Sequence, residues 1–343
     1  MTASPLMPAE WTAHERTWMA FPPPNDTFGE RGGHDLERAR TAWLNVARTI
    51  AKYEPVTLIV DPGDEHEARA QVGGEIDIVL HQLDDAWLRD AGPSFAFAGD
   101  ELVAVDWVFN GWGAQGWAAY EHDAKLGRFI AAEQAGVPVV DSPLVNEGGG
   151  IHVDGLGTML LTKTVQLDPG RNPNLTAADV EREFARTIGT TKSIWFERGL
   201  TRDYDEFGTR GHVDIIASFA GEGRVLVHDQ RDRAHPDHLV SEQLMATLRD
   251  AVDASGERLE VIPVPAPKTL RDHHGWVDWS YINHYVCNGA VILCAFDDEH
   301  DAVAAEILQR CYPDHVIELV DARDIFAFGG GIHCITQQQP RRR

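Results

Sequence analysis

What most narrows the fold of this sequence is a unit that comes round five times: one helix-patterned stretch followed by several strand-patterned ones. The first begins at DLERARTAWLNVARTIAKY, where Leu36, Ala39, Trp43, Val46 and Ile50 recur at helical spacing. VTLIV, IDIVL, SFAF and ELVAV follow as strands. The second helix is EHDAKLGRFIAAEQAG, ended by Gly136, with VPVV and TMLLT behind it. Thr176 opens the third as an N-cap, TAADVEREFARTIG, ahead of SIWFE, VDIIASF and RVLVH. HPDHLVSEQLMATLRDAV is the fourth, before LEVIPV and AVILCAF, and EHDAVAAEILQRCY is the fifth, before HVIELV. These helices recur roughly every 55 to 65 residues. A doubly wound sheet explains alternation but not the several strands behind each helix. Five α/β units closing in a ring explain both, with the N-terminal TWMAF completing the last blade. No low-complexity linker divides the chain, so residues 1–343 are expected to form one domain.

Composition restricts the setting. No apolar run approaches the roughly 20 residues of a membrane span, and MTASPLMPAEW has neither the basic region nor the apolar core of a signal peptide. The four cysteines lack CxxC pairing, which argues against a disulfide framework or a cysteine-rich zinc site. A cytoplasmic protein is the expectation. Net charge is −24, from 30 basic and 54 acidic residues. Such a surface repels nucleic acid and anionic membranes and favours cationic partners. On composition alone plain solubility is the better account of it, so the charge counts only beside a cation-binding site.

The polar motifs fall in the same phase of successive rounds, between strands. LDDAWLRDAGP gives Asp90, VNEGGGIHVDG gives Glu147, GTRGHVD gives His212 and Asp214, and FGGGIHCITQQQP gives Cys334. His212 and Asp214 alternate, as residues sharing one face of a strand do. Taken singly, each has a plain structural explanation. Cys334 reads as a buried cysteine after a glycine turn, Asp90 as a turn or cap aspartate and Glu147 as a solvated loop acid. His212 with Asp214 reads as a satisfied pair or as two metal ligands, DHHGW around His273 as a polar loop or a metal site, and Trp87 and Trp112 as packing residues. In a ring of units, however, equivalent loops converge on the central axis. One thiol, one histidine and three carboxylates gathered there suit one chemistry. Paired carboxylates match a planar guanidinium. A thiolate attacks its carbon, and a histidine held by a carboxylate protonates departing ammonia and then activates water. The product is a ureido compound.

The ordered motifs MPAEWTAHERTWMAF, WLRDAGP, FNGWG, NEGGGIHVDG, RNP, GHVD, SYINHY and GGGIHCITQQQP span nearly the whole chain. On them the sequence closely resembles the agmatine deiminase / Porphyromonas-type peptidyl-arginine deiminase family of the guanidino-group-modifying (pentein) superfamily. That resemblance implies a five-bladed α/β propeller of pseudo-five-fold ββαβ-type repeats around a central active site. It implies Cys334 as the amidino-cysteine nucleophile, His212 as general acid/base with Glu147 as its partner, and Asp90 and Asp214 as the guanidinium holders. Trp87 and Trp112 sit in family-typical positions near the substrate. The implied reaction deiminates agmatine to N-carbamoylputrescine and ammonia without cofactor or metal. The expected partner is a small cationic guanidino substrate, with no nucleic acid or membrane, and a homo-oligomer is compatible with the reading.

The sequence departs from the family pattern in three places. The asparagine of GGGNIHC is missing before Cys334, Gly150 replaces the serine of EGGSIHVDG, and TRDYDEFGTRGHVD ahead of His212 is atypical. These bear on contacts to the substrate's tail. The rival readings are a deiminase of free or peptidyl arginine, an amidinotransferase and a non-catalytic polyamine binder. A metallohydrolase using His212 and Asp214 lacks the ligand spacing.

Overall fold

The computed structural model describes residues 4–205 and 207–343. Their strands form five mixed sheets and one short hairpin. The first sheet contains β1 (His14–Ala20), β2 (Val56–Val60) and β3 (Asp77–Leu80). The next three are β4 (Ser94–Ala98) with β5 (Glu101–Val108) and β6 (Val139–Val145); β7 (Ile151–Val153) with β8 (Thr158–Thr162) and β9 (Lys192–Phe196); and β10 (Ala217–Phe219) with β11 (Arg224–Asp229) and β12 (Glu260–Pro265). The hairpin is β13 (Arg271–Asp272) and β14 (Gly275–Trp276). The fifth sheet is β15 (Tyr285–Cys287), β16 (Ala290–Ala295) and β17 (Val316–Asp321), and β18 (Gln337–Pro340) follows.

One pairing pattern repeats. In each of the last four sheets the first two strands are antiparallel and the second and third are parallel. In the first sheet β18 lies antiparallel to β1, which lies parallel to β2. A parallel pair needs a crossover, and a helical segment supplies it in every round. These are His34–Ile50, Asp123 to Gln134, Ala177–Thr187, Asp237–Asp250 and His300–Cys311. The expected strand TWMAF therefore joins the round that opens the chain, whereas β15, β16 and β17 form a sheet of their own. The reason is the crossover through His34–Ile50, which returns beside the strand that precedes it.

The sequence patterns account for the helices. Leu36, Ala39, Trp43, Val46 and Ile50 are all buried on one face of the first. Thr176 caps the third in a capping box with Asp179. The second differs from its regular pattern, since it winds as a 3-10 turn, one α turn and a π segment, Phe129–Gln134. Gly127 there lies so close to β5 that a Cβ would sit 2.6 Å from Asp106 Oδ1. VTLIV and TMLLT are buried at every residue, as sheets covered on both faces require. One apolar cluster runs from Trp18 to Ile335, and a smaller one around Trp107, Met159 and Phe184 joins the second and third sheets. Among the described residues no helix is long and apolar enough to cross a membrane. Helix Glu65–Val72, between β2 and β3, carries a pattern too short to be read from the sequence.

Candidate active site

The segment just before the first strand of each unit carries the polar residues. Asp90 precedes β4, Glu147 precedes β7, His212 and Asp214 precede β10, and Cys334 precedes β18. All five side chains are buried and meet. Gly149 marks the meeting point. A Cβ there would lie 2.5 Å from His212 Nδ1, 2.9 Å from Asp90 Oδ1 and 3.1 Å from Asp214 Oδ2. The glycine is required because three polar side chains from two other units occupy the space above its Cα.

His212 and Asp214 reach this point differently from the expected strand alternation. Val213–Ile215 is a 3-10 turn, and β10 begins only at Ala217. The reason lies in Asp203, whose carboxylate accepts from the backbone amides of Thr209, Gly211 and His212 at 2.7, 2.6 and 3.1 Å. Those amides are thereby withdrawn from any sheet ladder. Gly211, at φ +113°, makes the turn possible.

Glu147 and His212 form a buried pair, with Nε2 donating to Oε2 at 3.2 Å. Arg171, from the RNP motif, donates through Nε to both Glu147 oxygens, at 2.9 and 3.0 Å. Burial alone raises a carboxyl pKa, but the Arg171 guanidinium and His212 outweigh it and hold Glu147 at about 2. Burial pushes the His212 imidazole the other way, yet Asp90, Glu147 and Asp214 raise it to about 9. His212 is therefore an imidazolium near neutrality, and its Nδ1 has no hydrogen-bond partner and lies 3.8 Å from Asp90 Oδ1. The imidazolium thus holds a proton on Nδ1, the nitrogen turned toward Asp90.

Asp90 accepts from Trp112 Nε1 at 2.8 Å and from the Gly149 amide at 3.0 Å. Burial, with His212 opposing it and Glu147 and Asp214 reinforcing it, raises its pKa to about 6. Asp214 Oδ2 pairs with His333 Nδ1 at 2.7 Å and lies 3.7 Å from Cys334 Sγ, while Oδ1 is buried without a partner. Burial and then the negative charge of Asp214 and Asp90 push the Cys334 thiol well above its usual value. Cys334 is only 8% exposed, so the thiol lies inside the molecule rather than displayed on a glycine turn. A Cβ on Gly330 would lie 2.7 Å from the Trp87 ring and 3.1 Å from the sulfur, which places Trp87 beside the thiol. Trp112 is tied to Asp90, and it stacks on Trp117 with ring centroids 5.2 Å apart.

Several residues of the site were not singled out from the sequence. Asn283, from SYINHY, fills the phase left empty in the fourth round, directly before β15. Its amide nitrogen lies 3.3 Å from Cys334 Sγ, and its oxygen accepts from the His333 amide at 3.0 Å. The common phase of the other four motifs was signal enough to find it. Arg171, Asp203, Glu10 and His333 carried no such signal, because they act beneath residues that did. His273 and its neighbours lie on the β13–β14 hairpin, away from the buried cluster. Among the described residues the other cysteines, Cys287, Cys294 and Cys311, are buried and unpaired.

A cavity of about 320 Å³ opens beside Gly329, lined by Asp203, Asp205, Phe207, Asp278 and Phe328, with Arg202 and His274. The lining carries three aspartates, and its arginine, Arg202, is paired with Asp272 at 2.8 Å; Asp278 Oδ1 is buried with no partner, and burial raises the Asp278 pKa to about 7. Arg89 lies beneath the site, bound to Gln338 and to the His333 carbonyl, and Arg210 pairs with Asp168. Neither cation lines that cavity.

Residues 6–340 match the family model described as Porphyromonas-type peptidyl-arginine deiminase. The chain is 57% identical over 337 residues to a Streptomyces coelicolor protein provisionally named an agmatine deiminase, a match covering 98% of each. It is 37% identical over 361 residues to the agmatine deiminase of Pseudomonas aeruginosa, covering 98% of this chain and 96% of that one. The solved agmatine deiminase of Enterococcus faecalis superposes with a TM-score of 0.91 at 30% identity, over 99% of this chain and 97% of that one. The chain belongs to the Porphyromonas-type peptidyl-arginine deiminase family.

Proposed function

We propose that the protein hydrolyses agmatine to N-carbamoylputrescine and ammonia. The observation that carries this reading is the convergence of a thiol, an imidazolium and two carboxylates over the bare Cα of Gly149. The names of the Pseudomonas and Enterococcus relatives support agmatine in particular. A guanidinium held by Asp90 and Asp214 satisfies both carboxylates and brings its carbon to Cys334 Sγ. Its positive charge lowers the thiol pKa, so the thiol ionises as substrate binds and gives up its proton to solvent. The thiolate adds to the carbon, and the His212 proton goes to the departing nitrogen, which leaves as ammonia. An amidino-thioether on Cys334 remains. His212, now neutral, takes a proton from water, which adds to the same carbon. Collapse of that adduct, with its hydroxyl proton passing to the leaving sulfur, releases the ureido product and restores the thiol. Glu147, held by Arg171, orients the imidazole and stabilises its charged form throughout.

The chemistry runs on this chain's own side chains, with a small cationic guanidino compound as partner. The acidic cavity beside Gly329 and the engagement of Arg89 and Arg210 with other groups favour an ammonium tail over an α-carboxylate. The shared strand pattern of the five sheets supports a five-bladed α/β propeller formed by one domain, its first blade completed by β18. Four unpaired buried cysteines suit a reducing, cytoplasmic setting.

The test is ammonia release over agmatine, arginine, arginine peptides and short guanidino acids, with Cys334→Ala as the control. Agmatine is expected to give the highest kcat/KM, and Cys334→Ala to abolish turnover while keeping the wild-type fold. A folded Cys334→Ala protein with near-normal turnover rejects the covalent route. A higher kcat/KM for arginine than for agmatine rejects the substrate.

A further inference from the structure

The pentapeptide Gly-Gly-Gly-Ile-His occurs twice, at residues 148–152 and 329–333, followed in one copy by Val153 and in the other by Cys334. The two histidines come together under the site. Their rings are buried, with centroids 6.1 Å apart, and both face the carboxylate of Glu10 from the N-terminal MPAEW motif. Glu10 Oε2 is 2.9 Å from His333 Nε2 and 3.6 Å from His152 Nε2, and Oε1 accepts from the Val286 amide at 2.9 Å. The other nitrogen of His333 holds Asp214 Oδ2 at 2.7 Å.

The proton positions follow from the partners. The Phe219 amide points at His152 Nδ1 from 3.3 Å, so that nitrogen accepts and the ring's single proton sits on Nε2, facing Glu10. Burial keeps His152 neutral by lowering its pKa. His333 has a carboxylate oxygen against each ring nitrogen, so both nitrogens carry protons and the ring is a cation. Glu10 Oε2, His152 Nε2 and His333 Nε2 lie within 4.8 Å of one another, close enough for a metal ion. Ligation would need a lone pair on His152 Nε2 and hence a proton on Nδ1, against the Phe219 N–H. Arg89, whose Nε donates to the His333 carbonyl at 3.3 Å, adds a positive charge beside the cluster. The geometry fits a hydrogen-bond network and not a metal.

We propose that Glu10 and His333 are positioning residues, Glu10 holding His333 as an imidazolium whose Nδ1–H fixes and charge-balances Asp214. Asp214 Oδ1 is thereby left free for substrate. The charged and titratable groups around this chain of contacts are His333, His212, Arg89, Asp90 and Cys334 at Asp214, and Glu10, Asp214, Arg89, His152 and His284 at His333. Burial acts against each charge, but His333 and His212 hold Asp214 below the usual carboxylate range. Burial and Arg89 oppose the charge on His333, and Glu10 and Asp214 overcome them. The proposal rests on the deiminase reading for its kinetic tests and on nothing but the folded protein for its spectroscopic one.

The spectroscopic test uses wild-type, substrate-free protein with 15N-labelled histidine. Protons on both His333 ring nitrogens are expected at pH 7. A neutral His333 ring at that pH overturns the proposal whatever the enzyme acts on. The kinetic test compares His333→Asn with the double variant Glu10→Gln/His333→Asn, which removes the buried Glu10 charge that the single change strands. In both, KM for agmatine is expected to rise about tenfold. The carboxyl titration of Asp214, followed by NMR, is expected to move up by about one pH unit, because Asp214 has lost its cation. Were the pair merely structural, the double variant would recover the wild-type Asp214 titration and KM, and that result overturns the proposal. So does a stoichiometric metal bound by wild-type protein and lost in Glu10→Gln.

Discussion

Gly149→Ala adds a single methyl group, and the structure places it 2.5 Å from His212 Nδ1, 2.9 Å from Asp90 Oδ1 and 3.1 Å from Asp214 Oδ2. Ordinary contact begins near 3.4 Å. The imidazole must therefore retreat by about 0.9 Å and the Asp90 carboxylate by about 0.5 Å. Neither is free to do so, since His212 is held by Glu147 at 3.2 Å and Asp90 by Trp112 at 2.8 Å. A misplacement near 1 Å costs about 100-fold in rate. With guanidinium binding also impaired, kcat/KM should fall between about 100- and 1000-fold, or about 3 to 4 kcal/mol of transition-state stabilisation. The fold should survive, because overpacking of one methyl costs about 1 to 3 kcal/mol and Gly149 lies outside the left-handed backbone region. Gly150→Ala is the control. Its methyl meets Val165 and Gln166 at 3.1 and 3.2 Å and touches no reacting group, so kcat/KM should stay within about threefold of wild type. The assay is ammonia release with thermal melts of both variants. A folded Gly149→Ala enzyme within threefold of wild type would refute the assignment of this point as the guanidinium site.

Three further outcomes follow from the same geometry. In the free enzyme Cys334 should be alkylated by iodoacetamide only at alkaline pH, because burial and then Asp214 and Asp90 disfavour its thiolate, and a bound non-reacting amidinium should move that profile to lower pH; a free-enzyme thiol titrating well below about 7 contradicts this. Stability should fall as pH rises from about 6.5 to about 9, since His212 is held protonated up to about 9 in the fold and only to its ordinary value when unfolded. That contribution, on the order of 3 kcal/mol, is complete below the ordinary value, and a denaturation midpoint unchanged across the window contradicts it. Asp278→Asn should raise KM for agmatine several-fold and leave KM for an alkylguanidine with an uncharged tail unchanged, because Asp278 lines the acidic cavity; equal effects on the two compounds remove Asp278 from tail recognition.

The sequence carried the rhythm of the fold because each crossover helix has one apolar face and each covered strand is a solid apolar run. It carried the reacting groups because thiol, imidazole and carboxylates lie in short motifs bounded by glycine and proline. What it withheld was contact between residues distant in sequence. Nothing local marks Arg171 as the partner of Glu147, or Asp203 as the carboxylate that bends His212–Asp214 into a turn. The alternation of His212 and Asp214 suggested a strand because period two looks the same whether a ladder or a side chain takes up the amides. Taken singly, Trp112 read as packing, and only the family resemblance set it near the substrate; its backbone is left-handed at φ +55°, which no propensity foretells, and its indole is tied to Asp90.

The pairing of β18 with β1 joins Pro340 to His14 and Gln337 to Trp18, across almost the whole length of the sequence. Cys334 stands three residues ahead of that strand, and every other strand in the five sheets precedes it in order of synthesis. Until β18 emerges, one edge of β1 stays open to pairing with other chains, and the nascent protein lacks the proposed nucleophile. The contacts that complete the first sheet have the greatest sequence separation, so their closure entropy weighs most heavily on the folding rate. On the proposed mechanism, a chain halted before residue 334 is thus inactive as well as incomplete. Chemical competence and the closing of the first sheet arrive in the same stretch of translation.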